Sequence, residues 1–241
     1  MGRSRAEEES GEAPQAPTQA LSGDACALSP QEAKSARTRA AIHEAAVSCL
    51  DDHGYPETSV LKVQALAGVS RGALTHQYPT KIEMIAAVAE KLLNDVRHTP
   101  SPRSRPQPEG DDGYVEWLLM FAWDRFVHTR EGRALMEIFR ATRTDPALAE
   151  RLAEPVAAWT ASIDRWFLRR LTAEGGEVEV RELVRLFRAL SNGLAFDAGA
   201  TDDDQEHLVR SLARLIAPRL RRRHDGASAA ARDVGMAASG A

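Results

Sequence analysis

The chain has 241 residues and a formal net charge of −4, which allows one large domain or two small ones and does not by itself indicate a nucleic-acid partner. Ala, Leu, Arg and Glu are abundant beside few β-branched residues, a balance that favours helices. No apolar run is long enough to span a bilayer and no secretion signal is present, so the sequence predicts a cytoplasmic protein without a membrane partner. The two cysteines have no metal-binding spacing, and we expect no metal and no cofactor.

The N-terminal segment divides into a polar tail and a first helix. Residues 1–33 are rich in Glu, Ala, Pro and Ser, which predicts a disordered tail. A helix is predicted at Arg37–Asp52, where apolar residues recur at helical spacing, namely Ile42, Ala46, Cys49 and Leu50. Basic side chains lie near its start at Lys34, Arg37 and Arg39. They either form a basic arm that reaches DNA or belong to an ordinary solvated helix start.

The stretch from Thr58 to Lys81 predicts two short helices joined by a tight turn. Thr58 is expected to cap the first helix, and Gly68 to end it in a left-handed conformation. Ser70 is expected to cap the second helix, which Pro79 ends. Leu74 and Tyr78 share its buried face, so small and hydrogen-bonding residues point outward. A short helix of this kind suits the DNA major groove, and the pattern predicts a helix-turn-helix.

This segment resembles the N-terminal domain of the TetR family of transcriptional regulators. The resemblance covers Arg37–Val96 and rests on Ala67-Gly-Val-Ser-Arg-Gly-Ala-Leu-x-x-x-Tyr-Pro-Thr-Lys81, preceded at the family spacing by Asp52-His-Gly-Tyr55 and Thr58-Ser-Val60. Two positions depart from the family pattern, because Thr75 replaces the usual aromatic residue and Gln64 the usual alanine. The resemblance implies an all-α protein, with an N-terminal three-helix domain that carries the helix-turn-helix and a C-terminal helical domain for ligand binding and dimerisation.

The outer face of the second short helix supplies the predicted DNA contacts. Arg71 either pairs with guanine O6 and N7, contacts a phosphate or is an ordinary solvated arginine, and the sequence leaves these roles open. Thr58, at a helix start, and Lys81, which matches the family's phosphate-binding lysine, are predicted to contact the DNA backbone. The full predicted set is Thr58, Ser70, Arg71, Gly72, Ala73, Thr75, His76 and Lys81.

The rest of the chain also predicts helices. They are expected at Lys81–Arg97, Tyr114–Thr129, Arg130–Thr142, Asp145–Ala173, Val180–Ala198 and Asp202–Arg223. Prolines and polar residues mark 98–113 as a linker, and residues 225–241 as a second disordered tail. The predicted domains are therefore 34–97 for DNA binding and 114–224 for effector binding and dimerisation. No segment shows the alternation typical of a strand.

Large aromatic residues are concentrated in the first half of the second domain. They either fill an ordinary core or surround a ligand cavity. Asp124 and His128 share one helix face, where they either orient a polar ligand or form a surface pair. The predicted ligand-binding set is Trp117, Met120, Phe121, Asp124, Phe139, Trp159, Ile163 and Trp166.

The last two predicted helices carry apolar stripes. In the resembled family two such helices from each subunit form a four-helix dimer interface, so we expect a homodimer. The predicted interface residues are Phe187, Leu190, Leu194, Leu208, Leu212 and Leu215.

These features predict a sequence-specific DNA-binding transcriptional regulator. By resemblance, it is a homodimeric repressor that binds a palindromic double-stranded DNA operator and is released by a small apolar effector, which moves the Lys81–Arg97 helix. No nucleophile–base set, phosphate loop or dinucleotide motif is present, and we expect no enzymatic activity. An activator, an effector-independent regulator and a helical small-molecule carrier or enzyme without DNA binding stay open as alternatives.

Overall fold

The computed structural model describes residues 29–97, 106–194, 196–197, 199 and 201–223. These residues form helices and one short antiparallel ribbon, so the predicted all-α class is confirmed. The elements are α1 (Pro30–Glu57), α2 (Val60–Ala67), α3 (Arg71–Gln77), α4 (Lys81–Arg97), α5 (Asp111–Phe126), α6 (Arg130–Thr142), α7 (Pro146–Leu168), β1 (Leu171–Thr172), α8 (Gly176–Leu194), α9 (Asp202–Ile216), a 3-10 turn (Ala217–Arg219) and β2 (Arg221–Arg222). In the described ranges, every helix is too short or too polar to cross a membrane.

Helix α1 is longer than the sequence pattern indicates at both ends. It begins at Pro30, because Ser29 and Glu32 cap it reciprocally, so residues 30–33 are helical and not part of a tail. Toward its other end Gly54 has φ 73°, a left-handed conformation that kinks the helix before it resumes through Pro56. The predicted end of the helix at Asp52 therefore lies just before the kink.

The helix-turn-helix geometry is set by its capping residues. The Ser59 hydroxyl accepts the Lys62 N–H and begins α2, and Gly68 ends α2 with φ 64°. The Ser70 hydroxyl then accepts the Ala73 N–H at 3.2 Å and begins α3. Val63, Leu74 and Tyr78 are buried beneath this turn. The turn thus fixes which side of α3 faces outward.

Several helices of the C-terminal half differ from the predicted boundaries, and α8 begins at Gly176 rather than at Val180. Helix α7 ends at Leu168 rather than at Ala173, because Leu171 and Thr172 pair with Arg222 and Arg221. The expectation of no strand is therefore wrong. Helix α9 ends at Ile216, where Pro218 interrupts the helical hydrogen bonding and a 3-10 turn follows. Helix α5 begins at Asp111, three residues before the predicted start.

The two halves share one continuous apolar core, which passes from α1 and α4 into α5, α6 and α7. Helix α6 packs along α1, and α7 packs along α4. Polar pairs border these contacts: Arg133 binds both carboxylate oxygens of Asp51, at 2.7 and 2.9 Å, and Arg151 pairs with Glu90 at 2.6 Å. Of the predicted linker 98–113, residues 111–113 belong to α5, and residues 98–105 lie outside the described ranges. The predicted tail residues 1–28 and 225–241, and Cys26, also lie outside them.

Candidate functional site

Helix α3 presents a polar, open face. Arg71, Gly72, Thr75 and His76 are exposed, and Ala73 is half-buried beside the core. Gly72 has no neighbouring atom within 4 Å of the position that a Cβ would take, so its face is flat and accessible. This orientation leaves the backbone and four side-chain positions available to a DNA groove. Their contacts with bases stay a prediction.

The start of α1 lies against α3, a contact that the sequence analysis missed. The Gln77 amide donates to the Ser35 hydroxyl at 3.0 Å, and the Arg39 guanidinium donates to Ser35 at 2.8 Å and to Gln77 at 3.4 Å. Lys34 and Arg37 are exposed on the same stretch of α1. The basic start of α1 therefore borders the outer face of α3. Gln77 and Ser35 are 42 positions apart, and no local pattern connects them.

The structure contradicts the prediction that Thr58 caps α2 and contacts phosphate. Thr58 is completely buried, and its hydroxyl donates to the Gly54 carbonyl at 2.8 Å across the kink of α1. The neighbouring Ser59 caps α2 instead. A side chain without exposed surface cannot reach DNA, so Thr58 has a structural role.

Lys81 is directed into the domain rather than toward solvent. Its Nζ donates to the Tyr55 carbonyl at 2.7 Å and lies 4.0 Å from the centroid of the Tyr55 ring. Burial lowers the pKa of the ammonium group, although the carboxylates of Asp145 and Glu57 oppose the shift. Lys81 does not make its predicted phosphate contact available in this conformation. The side chain would first have to break its contacts with Tyr55.

Tyr55 also connects the two halves of the chain. Its hydroxyl donates to Asp145 Oδ2 at 2.8 Å, and its N–H donates to Glu137 Oε2 at 3.4 Å. Burial and the Asp145 carboxylate raise the pKa of Tyr55 to about 12. The pKa of Asp145 is lowered by the Leu148 N–H that it caps and by the Tyr55 hydroxyl. The predicted capping of α7 by Asp145 is confirmed, and its bond to Tyr55 could not be read from the sequence.

Most residues of the predicted ligand-binding set make packing contacts with other rings and core residues in the described part of the chain. Trp117, Phe121 and Trp166 stack in sequence, with ring centroids 5.9 and 6.3 Å apart. Met120 is buried in the core, and Phe139 packs against Trp159. Asp124 is exposed, so it lies on the wrong side of α5 to hold a buried ligand. His128 does not pair with Asp124 as one alternative required, because it stacks on Trp123 and lies 3.7 Å from Asp202.

A small cavity of about 40 Å³ lies between α5, α6, α7 and α8. Trp159 and Ile163 are the two members of the predicted set that line it. The other apolar lining residues, which the sequence analysis did not select, are Ala122, Phe126, Val127, Met136, Phe167 and Phe187. One side is polar and consists of Arg188, Ser191 and Asn192 of α8. The sequence analysis missed this polar side, because the α8 spacing was assigned to a dimer interface alone.

The outer faces of α8 and α9 expose large apolar residues. Leu186 and Leu190 lie on α8, and Leu208 and Leu215 on α9, with exposed fractions between 40% and 76%. Phe187 and Leu194 were predicted to join this interface, but they are buried in the protomer's own core. They point inward because α8 packs on α7 and α9 with that face. Leu212 is half-buried at the edge of the core.

The comparisons with known proteins agree with this architecture. The family model for bacterial regulatory proteins of the tetR family matches residues 42–88. The HTH-type transcriptional regulator CymR of Pseudomonas putida is 30% identical over 146 residues, which are 60% of this chain and 70% of that protein. The chain belongs to the TetR family.

Two further relatives support the same assignment, one by sequence identity and one by structural similarity. The HTH-type transcriptional repressor Rv1474c of Mycobacterium tuberculosis is 32% identical over 136 residues, 54% of this chain and 66% of that protein. A solved transcriptional regulator from Rhodococcus sp. Rha1 matches with a TM-score of 0.56 and 23% identity, over 74% of this chain and 95% of its own. At that identity the solved structure shows the fold alone.

This TetR-family member is a DNA-binding transcriptional regulator. The matched residues 42–88 begin in α1, include the whole helix-turn-helix and end in α4. The cavity and the apolar faces of α8 and α9 lie beyond that range. The family match therefore does not extend to them.

Proposed function

We propose that this TetR-family chain is a homodimeric repressor that binds a palindromic operator through α3 and is released when a small effector enters the cavity between α5 and α8. The observation that carries the DNA-binding part is the open face of α3, held in a fixed orientation by Gly68 and Ser70. Arg71 is the side chain on that face best suited to read a base, since its guanidinium can bond O6 and N7 of guanine together. We assign the protein no catalytic role, because the named relatives are regulators.

The exposed leucines of α8 and α9 support the dimer. Leu186 and Leu190 are one helical turn apart, and Leu208 and Leu215 are two turns apart, so each helix has one apolar outer stripe. A water-exposed stripe on each of two adjacent helices can be covered by the same two helices of a second copy. The resulting two-fold axis would place two α3 helices for the two halves of a palindrome.

The route from cavity to DNA is supported by the turn between α5 and α6. Phe126 and Val127 belong to the cavity wall at the end of α5 and the start of the turn into α6, whose Met136 also lines the cavity. The first turns of α6 hold α1: Arg130 pairs with Glu44 and donates to Ser48 at 3.2 Å, beside the bidentate Arg133–Asp51 pair. An effector that displaces this wall would shift α6 and therefore α1, which carries α2 and α3.

Selection of bound sequences from a random double-stranded DNA pool tests the regulator proposal. The wild-type chain should enrich a palindrome, and the Arg71→Ala variant should enrich the same palindrome with one position per half-site relaxed. The matched control is Arg181→Ala, which removes an exposed arginine of α8 far along the chain from α3. Enrichment of no motif by the folded wild-type protein would contradict the proposal.

A further inference from the structure

Two buried hydrogen-bonding groups at the cavity have no partner among the described residues. Trp159 Nε1 and Ser191 Oγ are both inaccessible to solvent and unpaired, and both residues line the cavity. Trp159 is 8% exposed and Ser191 is 1% exposed. Leaving such a group unpaired costs stability, and buried polar groups in proteins are almost always bonded. Neither atom presents surface to a water-sized probe in this state, so a ligand that displaces part of the cavity wall would be needed to satisfy them.

A positive charge stands beside these donors. The Arg188 guanidinium carbon lies 5.2 Å from the centroid of the Trp159 ring, on the polar side of the cavity. Its nearest carboxylate, Asp164, is 3.8 Å away, which is too long for a hydrogen bond. Burial lowers the pKa of Arg188, with Asp164 opposing the shift. The guanidinium is thus partly desolvated and incompletely paired within the described part of the chain.

The chemistry of these three groups selects one kind of ligand. An indole N–H and a guanidinium can donate but not accept, so the ligand must present acceptors at this side. A neutral acceptor would satisfy the two donors and leave Arg188 with only its 3.8 Å ion pair to Asp164, while a cationic ligand would be repelled. The opposite walls, including Phe126, Ile163 and Phe187, are apolar.

We propose that the effector is a small apolar carboxylic acid, whose carboxylate accepts hydrogen bonds from Trp159 and Ser191 and pairs with Arg188. This inference rests on the proposed function, because it names the chemical class of its effector. A carboxylate that accepts charge-assisted hydrogen bonds in a partly buried site gains more than a neutral amide of the same shape.

The cavity in this structure is too small for a ring-sized acid unless part of its wall moves. A volume of about 40 Å³ holds water, whereas a dry cavity that accepts benzene is about 150 Å³. An aromatic or branched acid must therefore displace part of the wall. Phe126 is the half-buried ring at the end of α5, where the chain turns toward α6, and it can move without breaking a helix. Ligand entry at this point would act on the α6–α1 contact described above.

The test compares acids with their own amides. Benzoate, phenylacetate and hexanoate, with benzamide, phenylacetamide and hexanamide as isosteric partners, are titrated at up to millimolar concentration into the full chain. Binding is followed by calorimetry and by tryptophan fluorescence, and operator occupancy by anisotropy in parallel samples. At least one acid should bind roughly tenfold or more tightly than its amide. An acid series that does not bind, or amides that bind as tightly, would overturn the proposal.

Substitutions of Arg188 and Asp164 test whether charge, rather than packing, determines the preference for acids. Arg188→Gln should abolish the preference for acid over amide, and Arg188→Lys should restore part of it. Asp164→Asn removes the competing carboxylate and should tighten acid binding several-fold without changing amide binding, a gain that a merely structural role would not produce. The matched control is Arg181→Gln, an exposed arginine on the same helix.

The outcomes distinguish this inference from the proposed function. Equal losses for acid and amide in Arg188→Gln, or no gain in Asp164→Asn, would overturn the carboxylate assignment while leaving operator binding intact. Acid binding without operator release would show a carboxylate site at the cavity but overturn the assignment of the acid as the effector. Failure of the unliganded protein to bind any operator would refute the DNA proposal alone, since the acid-versus-amide comparison does not depend on DNA.

Discussion

The substitution Leu215→Glu on α9 provides a demanding test of the dimer. Leu215 is 76% exposed in the protomer, and Leu186 on the adjacent α8 is 61% exposed. Replacing an exposed leucine should leave the fold of one chain intact, because the side chain makes little contact with its own core. Any large effect must then come from a surface that covers this face in the assembly.

The expected magnitude follows from the exposed fraction. Full burial of a leucine side chain contributes about 1.5–3 kcal/mol, so about three quarters of it, or ~1–2 kcal/mol, is left for an interface. A two-fold interface contains the residue twice, which gives ~2–4 kcal/mol for the dimer. That range corresponds to a rise of roughly 30- to 1,000-fold in the dimer dissociation constant. Burial of an unpaired glutamate would add to it.

Sedimentation equilibrium of the wild-type and variant proteins measures this change directly, with circular dichroism to verify folding. Leu61→Glu serves as the control, since Leu61 is 65% exposed on α2, away from α8 and α9. Operator affinity should fall together with dimer stability, because one α3 reads only half a palindrome. A folded wild-type monomer at micromolar concentration, or an unchanged dissociation constant for Leu215→Glu, would refute the assignment of this face.

Three further substitutions test individual roles. Arg71→Ala should cost about 1–3 kcal/mol at one base pair per half-site and little elsewhere, measured with a panel of single-base operator variants; uniform losses would mean a phosphate contact. Thr58→Val should lower the free energy of unfolding by about 0.5–1.5 kcal/mol, because the Gly54 carbonyl keeps the Thr58 N–H but loses the hydroxyl donor, without changing the salt dependence of operator binding. Lys81→Met should likewise destabilise the fold, by about 1 kcal/mol, through loss of the bond to the Tyr55 carbonyl; a salt slope lowered by about one unit would instead show that Lys81 contacts phosphate in the complex.

The helix-turn-helix was predictable because its determinants are local. A left-handed residue at Gly68, a hydroxyl at Ser70 and apolar residues one turn apart specify the turn within a dozen positions. The error at Thr58 arises from the same locality. Thr58 and Ser59 are adjacent and both can cap a helix, and only the kink at Gly54 makes Thr58 the buried donor.

The proposed effector site was harder to predict, because periodicity marks apolar residues without saying which neighbour covers them. Phe187 and Leu190 belong to the same apolar pattern, yet the first faces the protomer's own cavity and the second is 40% exposed. The density of tryptophans likewise indicated a cavity, but Trp117 and Trp166 stack through Phe121 and fill the space themselves. In each case, packing partners distant in sequence determine whether the side chain is buried or exposed.

Cavity volume and helix contacts together restrict how an effector can act. A ligand shifts a conformational equilibrium only by its difference in affinity for the two states. The arrangement described here has about 40 Å³ for it, so a ring-sized acid binds this state poorly and favours one with a displaced wall. That wall continues into the first turn of α6, where Arg130 and Arg133 hold α1. Under the proposed mechanism, the same difference in affinity would act on the helix that carries the DNA-binding surface, and operator binding would oppose it by an equal coupling energy.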